Sequence, residues 1–384
     1  MEKTRDIRYF DHAATSWPKP AEVVEAVNRA LTETGGNPGR GAHTFALAAT
    51  RAVSDARIAV ASLLGIAESR DVFFVPGCTE ALNLVLKGTL APGDRVVVSS
   101  VEHNAIVRPL TVLAAAGVEV VKVRGDAEGR IDPDDVETAV RQAPTRAVIC
   151  QHASNVTGAI QPVGDLADIA HDNGAVMIVD GAQAAGHLAL DLSALGADAY
   201  AVAGHKGLLG PQGIGVLYLA PGFEPTELVQ GGGGADAHDP SQPKDRPERY
   251  EAGTGNTPGA IGLGAAASLL AHRGAEIRAT ERRLTRALHE GLLGIPGVTV
   301  LGPPPGEARV PIVSVTVTWM GPDELAATLD RRYGIMTRAG VHCSPWTHET
   351  VGTGAAGAVR FAPGHGTTDD DIAAALDAMG ELAK

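Results

Sequence analysis

The chain has 384 residues, 44% of them hydrophobic but only 4% aromatic, so the core must be mostly aliphatic. With 32 Lys and Arg against 45 Asp and Glu, the formal charge is −13, which repels phosphate backbones and argues against general nucleic-acid binding. Its three cysteines, Cys78, Cys150 and Cys343, are too few and of the wrong parity for a disulfide framework. No apolar run approaches the roughly 18 residues that span a membrane. The opening MEKTRDIRYFDH lacks the apolar stretch of a signal peptide, so a reducing cytoplasm is expected. At roughly 150 residues per domain, the length suits two domains or one large one.

No internal repeat of clear period is present. The first element read from the pattern is a strand over residues 72–75, followed by a helix that Thr79 can cap and that runs through Leu86. Further β-branched runs at 95–99, 118–123, 146–150, 176–180 and 215–219 read as buried strands. Between them, Pro133 suits a helix start. Leu166, Ile169 and Ala170 show helical spacing that Gly174 stops. Residues 231–247, GGGGADAHDPSQPKDRP, lose all periodicity and read as a long flexible loop or lid. Beyond them come a long helix near 262–291, a strand at 310–318, a helix near 322–332, a strand at 358–361 and a final helix from about 368. This order predicts an α/β fold, a mainly parallel sheet covered by helices, with a smaller α+β domain after it. Ligands of such sheets bind beyond the carboxyl ends of the strands, which directs attention to the loops after 75, 99, 150, 180 and 202.

Those loops carry the chemistry. In AGHKG, Lys206 sits in a glycine-flanked turn at a strand end, where a lysine of lowered pKa can act as a Schiff-base nucleophile; a solvated loop lysine is the ordinary alternative. In VDGAQ, Asp180 ends an apolar strand, where it needs a cation or donors. A pyridinium N–H would serve, and so would an Asx turn. Gln183 lies three residues on and can donate to a ring oxygen. PGCTEALN makes a strand–turn–helix whose N-terminus, with Thr79, can take an anion or simply be capped. His103, past another strand, can stack on a flat ring or cap a helix. Asn155, in QHASNVTGAIQP, reads as a turn when taken alone. Together these residues form a constellation suited to pyridoxal phosphate, at the ends of one sheet.

At this point the chain resembles the class V aminotransferase-like pyridoxal phosphate enzymes of fold type I, and within them the cysteine desulfurases, closer to the Suf-type than the Isc-type. The resemblance runs from YFDHAATSWPKP to the last helix through GCTEALN, EHNAIVRP, SNVTG, VDGAQ, GHKGLLGPQGIG, EAGTGNTPG, RAGVHC and VRFAPGHGTT. It implies a seven-stranded, mainly parallel sheet in a large cofactor-binding domain at 21–261. A small domain at 262–384 would carry Cys343 and Arg360, with residues 1–20 packing against it. Lys206 would hold pyridoxal 5′-phosphate covalently and move the substrate α-proton, and His103 would stack on the ring. Asp180 would pair with the pyridine nitrogen and Gln183 with the phenolic oxygen. Cys78, Thr79 and His205 would hold the phosphate, with Thr254 reaching that of a neighbouring subunit in a homodimer. Asn155 and Arg360 would grip the carboxylate of L-cysteine, the arginine fork being suited to it. Cys343 would take the sulfur as a persulfide, leaving alanine, its thiolate favoured by flanking Arg338 and His342. A sulfur-acceptor protein is a further implied partner.

The chain departs from the family pattern at Ala203, where a serine is usual, and at His365–Gly366, where Tyr-Asn is usual. Selenocysteine lyase, cysteine sulfinate desulfinase or another C–S lyase of the same fold is the alternative activity. A scaffold that lost its chemistry is a remote one, against which the intact Lys206, Asp180, His103 and Arg360 argue.

Overall fold

The aliphatic runs of the first two thirds of the chain form one twisted sheet, and the amphipathic stretches between them cover it. The structure is a computed structural model that describes residues 7–233 and 238–384. In chain order the elements are β1 (Arg8–Tyr9), α1 (Ala21–Thr32), α2 (Thr44–Leu63), β2 (Val72–Val75), α3 (Cys78–Thr89), β3 (Arg95–Ser99), α4 (Asn104–Ala115) and β4 (Glu119–Val123). There follow α5 (Pro133–Arg141), β5 (Ala147–Gln151), α6 (Val163–Asp172), β6 (Val176–Asp180), β7 (Ala199–Ala203), β8 (Gly215–Leu219) and α7 (Thr257–Leu293). The last part holds β9 (Val298–Val300), β10 (Val313–Val317), α8 (Pro322–Tyr333), β11 (Ile335–Met336), β12 (Arg338–Gly340), α9 (Pro345–Thr350), β13 (Ala358–Phe361) and α10 (Asp369–Leu382).

The large sheet has seven strands in the order β2-β8-β7-β6-β5-β3-β4. Only β8 runs antiparallel to its neighbours. All other strands therefore end on the same edge, so the loops after β2, β3, β5, β6 and β7 meet there. Strands β3, β5, β7 and β8 are buried throughout, as expected when helices cover both faces.

Helix starts show local chemistry at work. Asp132 caps α5 by accepting from Asp134 N, with Pro133 as the first helical residue. His103 caps α4 through Nδ1, which accepts from Ala105 N at 3.0 Å. The expected cap of α3 is corrected. The helix begins at Cys78 with Gly77 at the cap position, so Thr79 lies inside the first turn and makes no capping bond.

A four-stranded antiparallel sheet, β12-β13-β10-β9, forms the second layer system. Its core joins Val313, Val315 and Phe361 to Leu284 and Leu288 of α7 and Met379 of α10. Phe10 sits in this same core, and β1 pairs in parallel with β11. Helix α7 spans 37 residues, longer at both ends than its periodicity suggested, and runs through position 261 without a break. The described part of 231–247 has no helix or strand. Its far end is tied down, because the half-buried Arg246 pairs with Asp71 at 2.6 Å and donates to Phe223 O. Among the described residues, no helix is long and apolar enough to cross a membrane.

Candidate active site

The shared strand edge opens into a cavity of 610 Å³. Eight of the eleven residues singled out in the sequence line it: Cys78, Thr79, His103, Asn155, Asp180, Gln183, His205 and Lys206. Cys343, Arg360 and Thr254 do not.

Lys206 comes from the turn after β7. Protein surrounds it except where it faces the cavity, and that burial pulls its ammonium below the ordinary range, with Asp180 and Cys78 opposing. The turn is pinned from outside the sheet. The carbonyl of His205 accepts from Ser16 N at 3.0 Å, Ser16 Oγ at 3.1 Å and Lys19 Nζ at 2.9 Å. Leu209 closes the turn at φ +62, a conformation that non-glycine residues hold only when surroundings fix them.

Asp180 ends β6, is buried, and accepts from Ala182 N at 2.9 Å. Its Oδ1 also accepts from Cys78 Sγ at 3.4 Å. The Cys78 sulfur is thus engaged with Asp180. Burial and the nearby Asp180 push its thiol well up. Gly181 is required by packing: a Cβ there would overlap the Tyr200 ring, which His152 Nδ1 meets at 2.8 Å through the hydroxyl.

His103 both caps α4 and faces the cavity, so the two readings of it are compatible. Its Nδ1 must be bare to accept from Ala105 N, which requires a neutral ring; burial, chiefly, lowers it to about 4. Beside it, Glu102 was missed in the sequence. It is fully buried, accepts from Gln151 N at 2.7 Å and from Ser99 Oγ, and is raised to about 8 by burial.

Arg360 is 1% exposed and already partly engaged. Its Nη2 donates to Asp11 Oδ1 at 2.8 Å and its Nη1 to Asn155 O at 3.0 Å, while buried Nε has no partner. The acid in YFDHAAT could have been suspected as a counter-ion; nothing in the sequence pointed it at position 360. Asn155 does more than line the cavity. Its Nδ2 donates to His342 O and its Oδ1 accepts from Ser344 Oγ, both at 2.7 Å, so the amide bridges the two flanks of Cys343.

Cys343 is half-buried, and the preceding peptide is unusual: His342 and Cys343 sit at φ +51 and +59. Arg338 Nη2 lies 3.2 Å from its sulfur, and its carbonyl accepts from Asn104 N, next to His103, at 2.8 Å. One expectation is corrected here. His342 cannot favour a thiolate by charge, because burial lowers it to about 3 and keeps the ring neutral. Arg338 is the cation in hydrogen-bond contact with the sulfur, and the Arg360 guanidinium acts on it from further away. Thr254 lies apart, on a second cavity of 630 Å³ with Arg40, Arg57 and Glu251. Leu228 and Val229 line both cavities.

Residues 8–374 match the family model described as aminotransferase class-V. The chain belongs to that family, among its cysteine desulfurases. It is 37% identical to a "Probable cysteine desulfurase" of Methanothermobacter thermautotrophicus, over 99% of this chain and 95% of the relative. It is 32% identical to a cysteine desulfurase of Haloferax volcanii, over 99% and 91%. The solved apo cysteine desulfurase of Thermococcus onnurineus superposes with a TM-score of 0.91 at 34% identity, covering 98% of this chain and 94% of that one. The Escherichia coli cysteine desulfurase CsdA, solved in an S-sulfonic acid form, gives 0.86 at 30% identity, over 97% and 94%.

The family implies pyridoxal phosphate, and the cavity fits it. Gln183 Oε1 and His205 Nδ1 are buried polar atoms without partners, which a polar ligand in this cavity would satisfy. Gln183 Nε2 already donates to Ala13 O at 2.9 Å, leaving one N–H for a ring oxygen. The N-terminus of α3 brings unpaired N–H groups to the cavity at Cys78 and Thr79, a suitable cradle for phosphate. Ala203 lines the cavity with a methyl group only, so the anion contacts must come from α3 and His205.

Proposed function

We propose that this protein converts L-cysteine to L-alanine and takes the sulfur on Cys343 as a persulfide. The observation that carries the reading is the convergence of Lys206, Asp180 and His103 on one cavity, with the Cys343 loop hydrogen-bonded to the residue after His103. Pyridoxal phosphate, when bound, supplies the electron sink that makes the substrate α-proton acidic. Cys78, Thr79 and His205 would hold its phosphate, Asp180 its ring nitrogen, Gln183 its ring oxygen and Lys206 its aldehyde carbon.

This chain's residues then divide the work. Arg360, through its unpaired Nε and the free edge of its fork, takes the substrate carboxylate. Lys206, whose ammonium burial pulls below the ordinary range, collects the substrate α-proton and later returns it to the α-carbon, while the proton released by the Cys343 thiol goes to the β-carbon. Neutral His103 would cover the ring face without adding a charge. Cys343, facing the Arg338 guanidinium, attacks the substrate sulfur. The C–S bond breaks as the S–S bond forms, the sulfur is oxidised to the persulfide level, and the carbon is reduced to the methyl of alanine. Thiol plus cysteine gives persulfide plus alanine, with no other reactant needed.

A homodimer is part of this reading. Thr254 lies outside the cofactor cavity of its own chain, which suits service to a partner's phosphate. The large domain ending near 261, the small one after it and the strap 1–20 remain the working division. A persulfide carrier also needs a reducing compartment, hence the cytoplasm, and a protein that accepts the sulfur.

The test is to incubate the holoenzyme with L-cysteine and measure alanine, sulfide and Cys343 persulfide together. Alanine and transferred sulfur should appear in equal amounts, with the extra sulfur on Cys343 by mass spectrometry. Cys343→Ala should lower L-cysteine turnover at least about 100-fold while L-cysteine sulfinate, whose sulfur leaves unaided, is still consumed. Parental L-cysteine turnover by that variant would sink the assignment.

A further inference from the structure

A hydrogen-bond chain that none of the roles above uses ends beside Cys343. Thr353 Oγ1 lies 2.6 Å from His348 Nδ1. His348 Nε2 lies 3.2 Å from His342 Nδ1, and His342 Nε2 lies 3.0 Å from the carbonyl oxygen of Arg338. Both imidazoles are sealed, at 2% exposure for His342 and none for His348.

The proton positions along this chain follow from its last acceptor. A carbonyl oxygen only accepts, so His342 carries its proton on Nε2. In a neutral ring Nδ1 is then bare and must accept from His348 Nε2–H. His348 Nδ1 is bare in turn and accepts from the Thr353 hydroxyl. Burial keeps both rings neutral, at about 3 and about 4, so neither can reverse the sequence by taking a second proton at working pH. The chain runs one way, Thr353 to His348 to His342 to Arg338 O.

What it supports is a backbone that would not hold itself. His342 and Cys343 are consecutive non-glycine residues at positive φ, a region L-residues occupy only when their surroundings fix them. Asn155 holds the two carbonyl-side flanks, at His342 O and Ser344 Oγ. Among the described residues, the hydrogen bonds of the His342 ring go to Arg338 O and His348. His348 belongs to α9, which is anchored to the loop before His103: Thr347 Oγ1 donates to Val101 O at 2.7 Å and Thr350 Oγ1 to Ser100 O at 3.1 Å.

We propose that His348 is a positioning residue for Cys343, transmitting the anchorage of α9 through the His342 ring so that the thiol stays opposite Arg338. The proposal rests on the reading of Cys343 as the sulfur-accepting thiol. It touches neither substrate nor cofactor, so its signature is selective: reactions that need the thiol suffer, and reactions that share the same carboxylate, amine and cofactor chemistry do not.

Three variants of the holoenzyme test it. His348→Phe keeps a flat ring and removes both hydrogen bonds. His348→Gln keeps an N–H donor near the place of Nε2. Cys343→Ala reports on the underlying reading. For His348→Phe, kcat with L-cysteine should fall between about tenfold and about 100-fold, as for a nucleophile displaced by a fraction of an ångström to an ångström. Its kcat with L-cysteine sulfinate and its KM for both substrates should stay within about twofold, and His348→Gln should recover most of the loss. A fall shared equally by both substrates, or no fall, overturns the proposal. If Cys343→Ala turns over L-cysteine normally, the sulfur-acceptor reading itself has failed; a dead Cys343→Ala beside an unaffected His348→Phe removes only the positioning role. A measurement independent of turnover is the nitrogen-15 spectrum of the histidine rings. Both His342 and His348 should be Nε2–H tautomers, and an Nδ1–H ring at either position contradicts the direction of the chain.

Discussion

Arg360 shows how much a single residue owes to its surroundings. Its guanidinium is shared with Asp11, 349 positions earlier in the chain, and with the carbonyl of Asn155, leaving Nε as the unpaired donor. A carboxylate bound there gains a charge-assisted hydrogen bond worth about 1.5–3 kcal/mol, or about tenfold to about 100-fold in binding. Arg360→Lys keeps the charge but loses the fork. KM for L-cysteine should rise by about that factor with a smaller change in kcat, measured under initial-rate conditions; an unchanged KM would place the carboxylate elsewhere. Lys206 and Asp180 were legible in the sequence as candidates because they stand at the ends of buried strands, whereas Cys343, and Arg360 inside β13, took their roles from the family resemblance. Their partners were not legible. Asp11, Glu102 and the bridging amide of Asn155 act through contacts between distant segments, and no spacing encodes those. His342 was misread for the same reason: its place beside Cys343 is visible in RAGVHC, but its burial is not.

At the scale of elements, the long α7 is built to lie close. Gly264 faces α2, and a Cβ there would lie 2.6 Å from Ala56 Cβ and 2.7 Å from Ala56 Cα. The two helices would have to separate, because a backbone atom cannot turn aside. Gly264→Ala should therefore cost about 1–3 kcal/mol, seen as a lower denaturant midpoint at unchanged slope. Gly380→Ala in α10, where nothing lies within 4 Å, should instead stabilise by about 0.5–1 kcal/mol through helix propensity. Equal effects from the two would mean that the α2–α7 contact is not tight. Six of the seven strands of the large sheet were readable to within a residue from their β-branched runs, but β7, AYAVA, was not given a range, because alanine carries little strand signal. The short strands β1, β9, β11 and β12 were not foreseen. Two or three residues carry no period, and their pairing depends on partners far along the chain. Helices α1 and α2 were also missed. Each buries alanines and valines against α7, a weak apolar signal, while Val24, Leu31, Phe45 and Ile58 point outward.

The whole molecule carries its charge in two unlike places. The −13 lies mostly on the surface, whereas seven histidines among the described residues are held neutral inside. Burial, the leading cause at each, lowers His12, His103, His152, His205, His289 and His348 to about 4, and His342 to about 3. An unfolded histidine titrates at 6.5, so between pH 6.5 and about 4 the unfolded chain binds protons that the folded chain refuses. Stability from these rings is therefore complete above pH 6.5 and is lost as pH falls through that window. Glu102 works the other way. Raised to about 8 from 4.5, it makes the fold less stable as pH rises between those values, but it is one group against seven. Nor does the surface explain acid sensitivity, because lowering the pH toward the sequence pI of about 5.4 reduces the net charge and its self-repulsion. The histidines should dominate. Chemical denaturation at pH 7, 6 and 5 should show a steep loss of stability below 6.5, with a slope corresponding to uptake of more than about two protons on unfolding. A stability that stays flat from pH 6.5 to 5 would mean that the interior opens enough to solvate these rings without unfolding.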